Sequence, residues 1–291
     1  MIHTLTRRDF LGKIVLSSAS LALLSSGKTS KWMFGCFTRP WAEHDYLVAF
    51  DGIAAAGFNY VGMMGSKNGP AITKDTTPEQ AAKVGQEAKS RGLQIASFWG
   101  GEFDSEKSVN DGVAGLKRLI DNSVACGCKY IVLGGTYEQS RVENYYKAVS
   151  ESCDYAADKD IYLTIKPHGP FNSTGQECRS LIEKINHKNF RLWYDPGNIY
   201  YYSDGKLDPV DDAAEVDGLV AGMSVKDFRM PKDVDVTPGS GLVDFPGVMS
   251  RLQKGGFKKG PLIVECLAKG DLAFINSEAK RAYQYLQQIL K

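Results

Sequence analysis

Five charged residues stand directly after short apolar segments of the kind that form buried β-strands: Lys166, Asp195, Lys226, Asp227 and Glu265. A charged side chain in such a place is costly to desolvate unless it is paired or bound to an ion. We therefore expect these ammonium and carboxylate groups to converge in one functional pocket. Their chemistry would be acid–base chemistry, in which protons are donated, accepted and stabilised. Structural ion pairs on a rim are the alternative for each residue taken alone.

The elements that must position these residues are strand–helix units repeated along the chain. Short β-branched or aromatic segments recur about every thirty residues, and each is followed by a segment with helical periodicity. The predicted strands are 33–37, 60–63, 94–98, 130–133, 162–166, 191–194, 220–225 and 262–265. The predicted helices are 47–56, 78–91, 109–126, 142–159, 178–186, 209–216, 245–255 and 277–290.

Eight such units in about 250 residues indicate an α/β protein with a single closed (β/α)8 TIM barrel, spanning residues 31–291. An open, doubly wound sheet is the competing arrangement. It would normally carry a glycine-rich first turn, whereas residues 37–41 read Phe-Thr-Arg-Pro-Trp. In TIM barrels the catalytic groups lie at the ends of the strands, where all five charged residues fall.

Aromatic residues near strands are candidates for contacts with a sugar, because ligand pockets are lined largely by aromatic and apolar side chains. Trp32, Phe98, Trp99 and Trp193 are the candidates, and Trp99, just after the third predicted strand, is the one we expect to bind substrate. A packing role in the core is the alternative for each of them.

The composition limits the partners. Lys+Arg number 35 against 34 for Asp+Glu, so the chain has no basic surplus to hold a phosphate backbone, and nucleic acid is not an expected partner. Hydrophobic residues make up 43% and charged residues 24% of the 291 residues, which is typical of a globular domain. The four histidines argue against a cluster of zinc ions held by many imidazoles. The six cysteines are too few for a disulfide scaffold and are expected to pack as small apolar side chains.

Residues 1–30 have the features of an export signal. Arg7 and Arg8 form the twin-arginine pattern Thr-Arg-Arg-Asp-Phe-Leu, and an apolar run follows over residues 14–24. That run is about half the roughly 20 residues needed to span a bilayer, so no stable membrane anchor is expected. We predict export through the twin-arginine route to the periplasm. A cytosolic amphipathic helix is the alternative.

Three stretches resemble the xylose-isomerase-like barrel superfamily, which includes sugar isomerases, epimerases and related lyases. They are residues 193–198 (Trp-Tyr-Asp-Pro-Gly-Asn), residues 223–227 (Met-Ser-Val-Lys-Asp) and residues 237–245 (Thr-Pro-Gly-Ser-Gly-Leu-Val-Asp-Phe). The last one matches a pattern G-x-G-x-x-D-[FW] that in the family precedes a strand-terminal glutamate, here Glu265. The resemblance extends over residues 33–290.

The resemblance implies a divalent cation held by a glutamate, an aspartate, a histidine and a glutamate on strands five to eight. Asp195 and Glu265 match two of these ligands, whereas Lys166 and Ser224 stand at the other two places. One hypothesis is that the Lys166 ammonium replaces the metal charge between Asp195 and Glu265, with no cofactor. The alternative is a bound Mn, Mg or Zn ion, held by Asp195 and Glu265 together with His168.

The resemblance also suggests a role for each residue. Glu265 is expected to abstract a proton next to a sugar carbonyl. Lys166 is a candidate proton donor, electrostatic stabiliser of an enediolate oxygen, or Schiff-base nucleophile. His168 is the candidate proton shuttle or hydroxyl contact. The residues expected to contact substrate hydroxyls, a substrate acidic group or the sugar ring are Trp99, Asn198, Lys226 and Arg229.

The sequence therefore predicts an enzyme of the isomerase or epimerase type, acting on a small non-phosphorylated sugar or keto-sugar. A lyase or hydrolase acting on 3-keto-glycosides is one alternative. A carbohydrate-binding barrel without catalytic activity is the other. No glycine-rich phosphate loop follows strands seven or eight, the nearest candidate being residues 237–241. The oligomeric state is not predicted.

Overall fold

The computed structural model describes residues 31–290, which form a closed barrel of parallel strands. The strands are β1 (Trp32–Phe37), β2 (Tyr60–Met63), β3 (Gln94–Trp99), β4 (Tyr130–Leu133), β5 (Tyr162–Ile165), β6 (Phe190–Tyr194), β7 (Val220–Val225) and β8 (Gly260–Val264). Each strand pairs with the next in sequence, and β1 closes the ring against β8, with Cys36 opposite Val264. The predicted (β/α)8 TIM barrel is confirmed. The predicted export signal, residues 1–30, lies outside the described residues.

Helices follow the strands and form the outer layer of the barrel. They are α1 (Tyr46–Ala56), α2 (Pro78–Ser90), α3 (Val109–Cys126), α4 (Val142–Asp158), α5 (Gly175–Ile185), α6 (Pro196–Tyr202), α7 (Pro209–Asp212), α8 (Phe245–Lys254) and α9 (Leu272–Ile289). Thr77 and Thr174 each begin a helix with a reciprocal capping box, which satisfies backbone N–H groups at the helix start. Short 3-10 turns occur at Arg39–Trp41, Gln139–Arg141 and Ala213–Val216.

Two helical stretches go beyond the sequence prediction. Helix α6 is absent from the predicted elements, and α9 begins five residues earlier than predicted, at Leu272. In both cases an aspartate caps the first turn: Asp195 accepts from the backbone N–H of Asn198, and Asp271 accepts from that of Phe274. A capping aspartate is a local signal that periodicity does not capture, because it determines where a helix begins.

The barrel interior is a packed core. Side chains from several strands meet there and leave no channel along the axis: Phe37, Ala96, Val132, Trp193 and Ile263. For Trp193, the alternative role in core packing is the observed one, because this side chain is fully buried in the interior. In TIM barrels the functional site lies at the carboxyl ends of the strands, above such a core.

None of the helices within residues 31–290 is both long and apolar enough to cross a membrane. All six cysteines lie in this range and are buried with free thiols, as expected for packed small side chains. Of these, Cys266 follows Glu265 directly and lies beside the site described next.

Candidate functional site

A cavity of about 280 Å³ opens at the carboxyl ends of the strands. This volume is near the lower limit of ligand pockets, about 300 Å³, and suits a small molecule. Six of the predicted site residues line it together with five that were not predicted. The full lining is Arg39, Met64, Trp99, Lys166, His168, Asn198, Tyr201, Tyr202, Lys226, Val234 and Glu265.

Lys166 lies between two carboxylates at the base of this cavity. Its Nζ atom is 2.8 Å from Asp195 Oδ2 and 2.5 Å from Glu265 Oε2. All three side chains are at most 4% exposed. The residues come from the ends of β5, β6 and β8, and Lys166 and Glu265 are 99 residues apart in the sequence. The barrel therefore brings together the three residues that the sequence analysis placed at one rim.

A second ammonium group binds the same two carboxylates. Lys226 Nζ, at the end of β7, lies 2.7 Å from Glu265 Oε1 and 3.5 Å from Asp195 Oδ2. It also donates to Asn198 Oδ1 at 2.9 Å. The two oxygens of Glu265 are thus held by different lysines, and the site contains a four-residue ionic cluster instead of the predicted three-residue bridge.

Neutral groups fix the geometry of this cluster. Ser224 donates to Glu265 Oε2 at 2.7 Å and accepts from Trp193 Nε1 at 3.0 Å, so a buried indole supports the carboxylate from below. Asn198 donates its amide N–H to the carbonyl of Pro167 at 2.6 Å. Through this bond Asn198 links the loop after β5 to the first turn of α6, and its remaining oxygen is aimed at Lys226.

The charges in the cluster shift one another's proton affinities. Burial by itself raises the pKa of Glu265, but the positive charges of Lys166, Lys226 and Arg39 outweigh it and hold that pKa well below its usual value. Burial by itself lowers the pKa of Lys226, but Asp195 and Glu265 raise it above the ordinary value. Glu265 is therefore ionised and Lys226 is a cation across the physiological pH range.

His168 is a neutral imidazole in the wall of the cavity. Burial, together with the charges of Lys166 and Lys226, lowers its pKa to about 3. Its Nδ1 atom lies 3.1 Å from the hydroxyl of Tyr137, which in turn lies 3.0 Å from the hydroxyl of Tyr202. A neutral imidazole in such a network can both donate and accept hydrogen bonds.

Trp99 forms the aromatic wall. Its ring lies 5.2 Å from that of His168, and Lys166 Nζ lies 5.8 Å from the ring centroid. The other aromatic candidates lie elsewhere. Phe98 is fully buried in the core, and Trp32 begins β1 at the opposite end of the barrel, where it packs on Phe257. Phe98 and Trp32 therefore have the packing role that was the alternative for each of them.

Arg229 does not join Lys226 in the cavity, contrary to the prediction that both orient the substrate. Arg229 and Asp233 exchange backbone hydrogen bonds of 2.8 and 2.9 Å, which makes a tight turn after β7. The guanidinium is 58% exposed and lies 3.7 Å from the Asp233 carboxylate. The turn thus directs this side chain to the surface.

Asp227 is satisfied within its own loop and not in the cavity. Its carboxylate accepts backbone N–H groups from Gly239 at 2.9 Å, Gly241 at 2.8 Å and Val243 at 3.1 Å. A side chain at Gly241 would collide with this carboxylate, which explains why the loop needs glycine there. The loop that contains the G-x-G pattern therefore folds around the Asp227 carboxylate and donates backbone hydrogen bonds to it.

Arg39 and the tyrosines of α6 are the main residues that sequence reasoning missed. Arg39 lies in the 3-10 turn after β1, and its Nη1 atom is 3.7 Å from Glu265 Oε1. Its position directly after a strand was the available signal. Tyr201 and Tyr202 reach the cavity because α6 begins at Asp195, and that helix was not predicted.

The residues present do not fit a divalent cation. The carboxylate oxygens that would bind it are already bonded to Lys166 and Lys226, and Ser224 stands where the resemblance implies a histidine. A divalent ion about 4 Å from an ammonium group is repelled by about 8 kcal/mol at an effective dielectric constant of about 20. Within residues 31–290, no group of three or more His, Cys, Asp or Glu side chains is arranged to hold a metal.

Comparison with known proteins agrees with this architecture. The family described as "Xylose isomerase-like TIM barrel" matches residues 50–289. Inosose dehydratase from Geobacillus thermodenitrificans (strain NG80-2) is 26% identical over 263 residues, covering 78% of this chain and 85% of that protein.

Solved structures show the same fold. D-psicose 3-epimerase from Clostridium cellulolyticum H10, with D-tagatose, superimposes with a TM-score of 0.71 at 14% identity, covering 89% of this chain and 99% of that one. A xylose isomerase domain protein from Planctomyces limnophilus gives a TM-score of 0.67 at 19% identity, covering 89% and 97%. At such low identities the structural likeness establishes the fold alone.

Proposed function

The chain belongs to the xylose isomerase-like TIM barrel family, and we propose from this premise that it is an enzyme acting on a non-phosphorylated sugar or keto-sugar. The proposed reaction moves a proton on the carbon beside a carbonyl group. The observation that carries the proposal is the pair of buried ammonium groups, Lys166 and Lys226, held on Glu265 at the base of a cavity of small-molecule size.

Glu265 is the proposed base because of its position. Among residues 31–290 it is the one carboxylate that lines the cavity. In the proposed step the substrate carbonyl oxygen binds the two lysines while Glu265 takes the proton from the adjacent carbon. The electron pair of that C–H bond forms a C=C bond, and the carbonyl π electrons move to oxygen to give an enolate. Return of the proton to the other face of the same carbon gives an epimer. Its return to the former carbonyl carbon gives an isomer, and in that case the hydroxyl group on the first carbon passes its own proton to the enolate oxygen.

The ionic cluster suits this step because the total charge never changes. Before the reaction the lysines are paired with the negative charge of Glu265. After proton transfer Glu265 is neutral, and the same negative charge lies on the enolate oxygen, still against Lys166 and Lys226. Preorganised cations that face the developing charge stabilise the transition state without reorganisation. The same pairing also explains how a carboxylate of low pKa can act as the acceptor, since the lysines acidify the substrate as well.

His168 is the proposed second contact. Because it is neutral, it can hold a substrate hydroxyl without adding charge to the cluster. Epimerisation at a carbon needs proton transfer on both faces of the planar enolate, and the wall formed by His168 and Trp99 is the other face that the cavity offers. Isomerisation or elimination needs only one face.

We propose that the lysines take the place of a divalent cation in this protein. The support is the geometry of Lys166, whose ammonium group is bonded to the Asp195 and Glu265 carboxylates that match the family's metal ligands. An ammonium group supplies one positive charge and three donors, which is enough to bind an enolate oxygen.

Elimination of water is the second candidate reaction. The similarity to inosose dehydratase favours it. The same enolate would form first, and loss of a hydroxyl group from the next carbon would then give water and a C=C bond. The hydroxyl needs a proton as it leaves, and the Glu265 carboxyl that has just been protonated can return it. The first half of the chemistry is therefore shared by both candidates.

Deuterium exchange tests the shared step. The protein is incubated in D2O with a panel of ketoses, inososes and keto-sugar acids, and the products are analysed by NMR and mass spectrometry. We expect deuterium at the carbon beside the carbonyl, with a rate at least about 100-fold lower in Glu265→Gln. Arg229→Gln, on the exposed turn, is the control and should exchange at the wild-type rate.

Exchange that is undetectable across the panel, or that Glu265→Gln leaves unchanged, would overturn the proposal. Sugar binding measured by calorimetry without any exchange would then favour a carbohydrate-binding barrel.

A further inference from the structure

The cavity carries one positive charge more than its own groups neutralise. The ion-paired cations are Arg39, Lys166, Lys226 and Lys269, and the carboxylates that pair with them are Asp195, Glu265 and Asp235. An excess of one cation beside a nearly closed ionic cluster is costly unless something else supplies a negative charge.

The excess lies on Arg39. Lys166 and Lys226 each contact a carboxylate oxygen at 2.8 Å or less. The Arg39 guanidinium is 3.7 Å from Glu265 and 3.7 Å from Asp235, beyond hydrogen-bonding distance to either. Asp235 in turn is bonded to Lys269 at 2.6 Å. The guanidinium therefore shares two carboxylates that other cations already hold.

The nearest hydrogen-bond partner of Arg39 is uncharged. Its Nη1 atom donates to the Sγ atom of Cys266. Cys266 is a buried free thiol, so it is uncharged and cannot balance the guanidinium charge. Sulfur is a weak acceptor compared with an ionised oxygen. A ligand carboxylate would be a stronger partner than the one the chain provides.

Arg39 is also placed where a ligand can reach it. Its side chain is 34% exposed, whereas Lys166 and Lys226 are 1% and 6% exposed. It lines both the substrate cavity and a second cavity of about 380 Å³ between the loops after β1 and β8. A group bound by Arg39 would therefore sit at the boundary of the two cavities, with the rest of a small ligand extending toward Lys166.

We propose that the substrate carries a carboxylate group, as in a uronic or keto-aldonic acid, and that Arg39 binds this group. This inference rests on the proposed function and names the substrate class of the same site. The planar guanidinium presents two parallel N–H donors that match the two oxygens of a carboxylate. The single excess charge suits a monoanion better than a phosphate ester with its larger negative charge.

The excess charge is not needed for the enolate. In the proposed reaction the negative charge moves from Glu265 to the substrate oxygen, and Lys166 and Lys226 stay paired with it throughout. Arg39 makes no hydrogen bond to Glu265, from which it lies 3.7 Å away, and it also lines the second cavity. Its charge is therefore available for a different part of the ligand.

Calorimetry with matched sugars tests the proposal without relying on turnover. Each acid is compared with its neutral counterpart: D-glucuronate with D-glucose, D-galacturonate with D-galactose, and 5-keto-D-gluconate with L-sorbose. We expect at least one acid to bind about tenfold or more tightly than its counterpart. In Arg39→Gln that preference should disappear while the weak binding of the neutral sugar is retained. Arg39→Lys, which keeps the charge but loses the fork, should retain part of it.

Arg229→Gln is the matched control, since it removes an exposed guanidinium that lies outside the cavity. The preference for acids should be unchanged in this variant. Thermal melting of all three variants identifies any that fail to fold, and Arg39→Lys keeps the test informative if Arg39→Gln is one of them.

Three outcomes would overturn the inference. They are equal binding of acids and neutral sugars, tighter binding of D-glucose 6-phosphate than of D-glucuronate, and an equal loss of both ligand types in Arg39→Gln.

The two proposals fail in different ways. Exchange of deuterium into neutral ketoses with no preference for acids would refute the carboxylate inference and leave the proton-transfer function intact. A clear preference for acids that depends on Arg39, with no deuterium exchange in any sugar, would refute the proton-transfer function and leave the carboxylate-binding site intact.

Discussion

Lys166 and Lys226 hold opposite oxygens of Glu265, with Lys166 Nζ 2.5 Å from Oε2 and Lys226 Nζ 2.7 Å from Oε1. Each carboxylate oxygen is therefore bonded to a different ammonium group, and each lysine depends on this carboxylate. Such a cluster is an ionic unit whose members are stable together and costly apart. Its behaviour under substitution and pH follows from that dependence.

We expect Lys166→Met to destabilise the protein by about 3 to 5 kcal/mol, because removal of one buried partner leaves an uncompensated charge. Asp195 would then retain only the 3.5 Å contact with Lys226 as an ionic partner. Urea unfolding followed by circular dichroism measures the difference. Lys232→Met, which removes a half-exposed lysine on the surface, is the control and should change stability by less than about 1 kcal/mol. A loss of similar size in both variants would contradict the ionic unit.

The neutral state of His168 predicts that stability falls with acid. Its folded pKa is about 3, whereas the unfolded chain has the usual value of about 6.5. Between these values the unfolded state binds the extra proton, so stability decreases as pH falls from about 6.5 toward 3, by up to about 1.4 kcal/mol per pH unit. Urea unfolding of wild type and His168→Gln at several pH values isolates the contribution of His168 to the pH dependence of stability. An identical pH slope in the two proteins would show that His168 does not contribute.

The twin-arginine export signal remains a prediction from residues 1–30. We expect replacement of Arg7 and Arg8 by lysine to block export through this route, because the paired guanidinium groups are the recognised feature of the signal. Cell fractionation of a bacterial host that has this pathway, followed by immunoblotting, locates the protein. The unchanged chain in the periplasmic fraction and the double variant in the cytoplasm are the expected results. The unchanged chain in the cytoplasm would refute the prediction.

The barrel and the meeting of Lys166, Asp195 and Glu265 could be predicted because both depend on repetition. In a parallel barrel every strand ends at the same mouth, so a residue just after any strand is brought there regardless of sequence separation. The contacts of Lys226 with Glu265 and Asp195 could not be predicted in the same way. It depends on how far a flexible side chain reaches across the mouth, and sequence position does not determine that.

The differences between the expected and the observed positions have equally local causes. Trp193 precedes Asp195 by two residues, so in a strand both point to the inner side, but Trp193 lies one layer deeper and is buried. Arg229 follows β7 by four residues, and a tight turn to Asp233 sends it outward. Arg39 was overlooked because its turn carries no catalytic motif. Strand periodicity places residues at the mouth, but turns decide which of them face the cavity.

Removal of metal ions should leave the proposed activity unchanged. The lysines occupy the carboxylate oxygens that a divalent ion would need, so dialysis against EDTA takes away nothing that the reaction uses. Deuterium exchange before and after dialysis, together with elemental analysis of the protein, measures this. The complementary variant Lys166→Glu/Ser224→His supplies the two ligand types that the family resemblance implies, and we expect it to bind Mn2+ in calorimetry where wild type does not. Activity that is lost with EDTA and restored by Mn2+ in the wild-type protein would contradict the replacement of a metal by lysine.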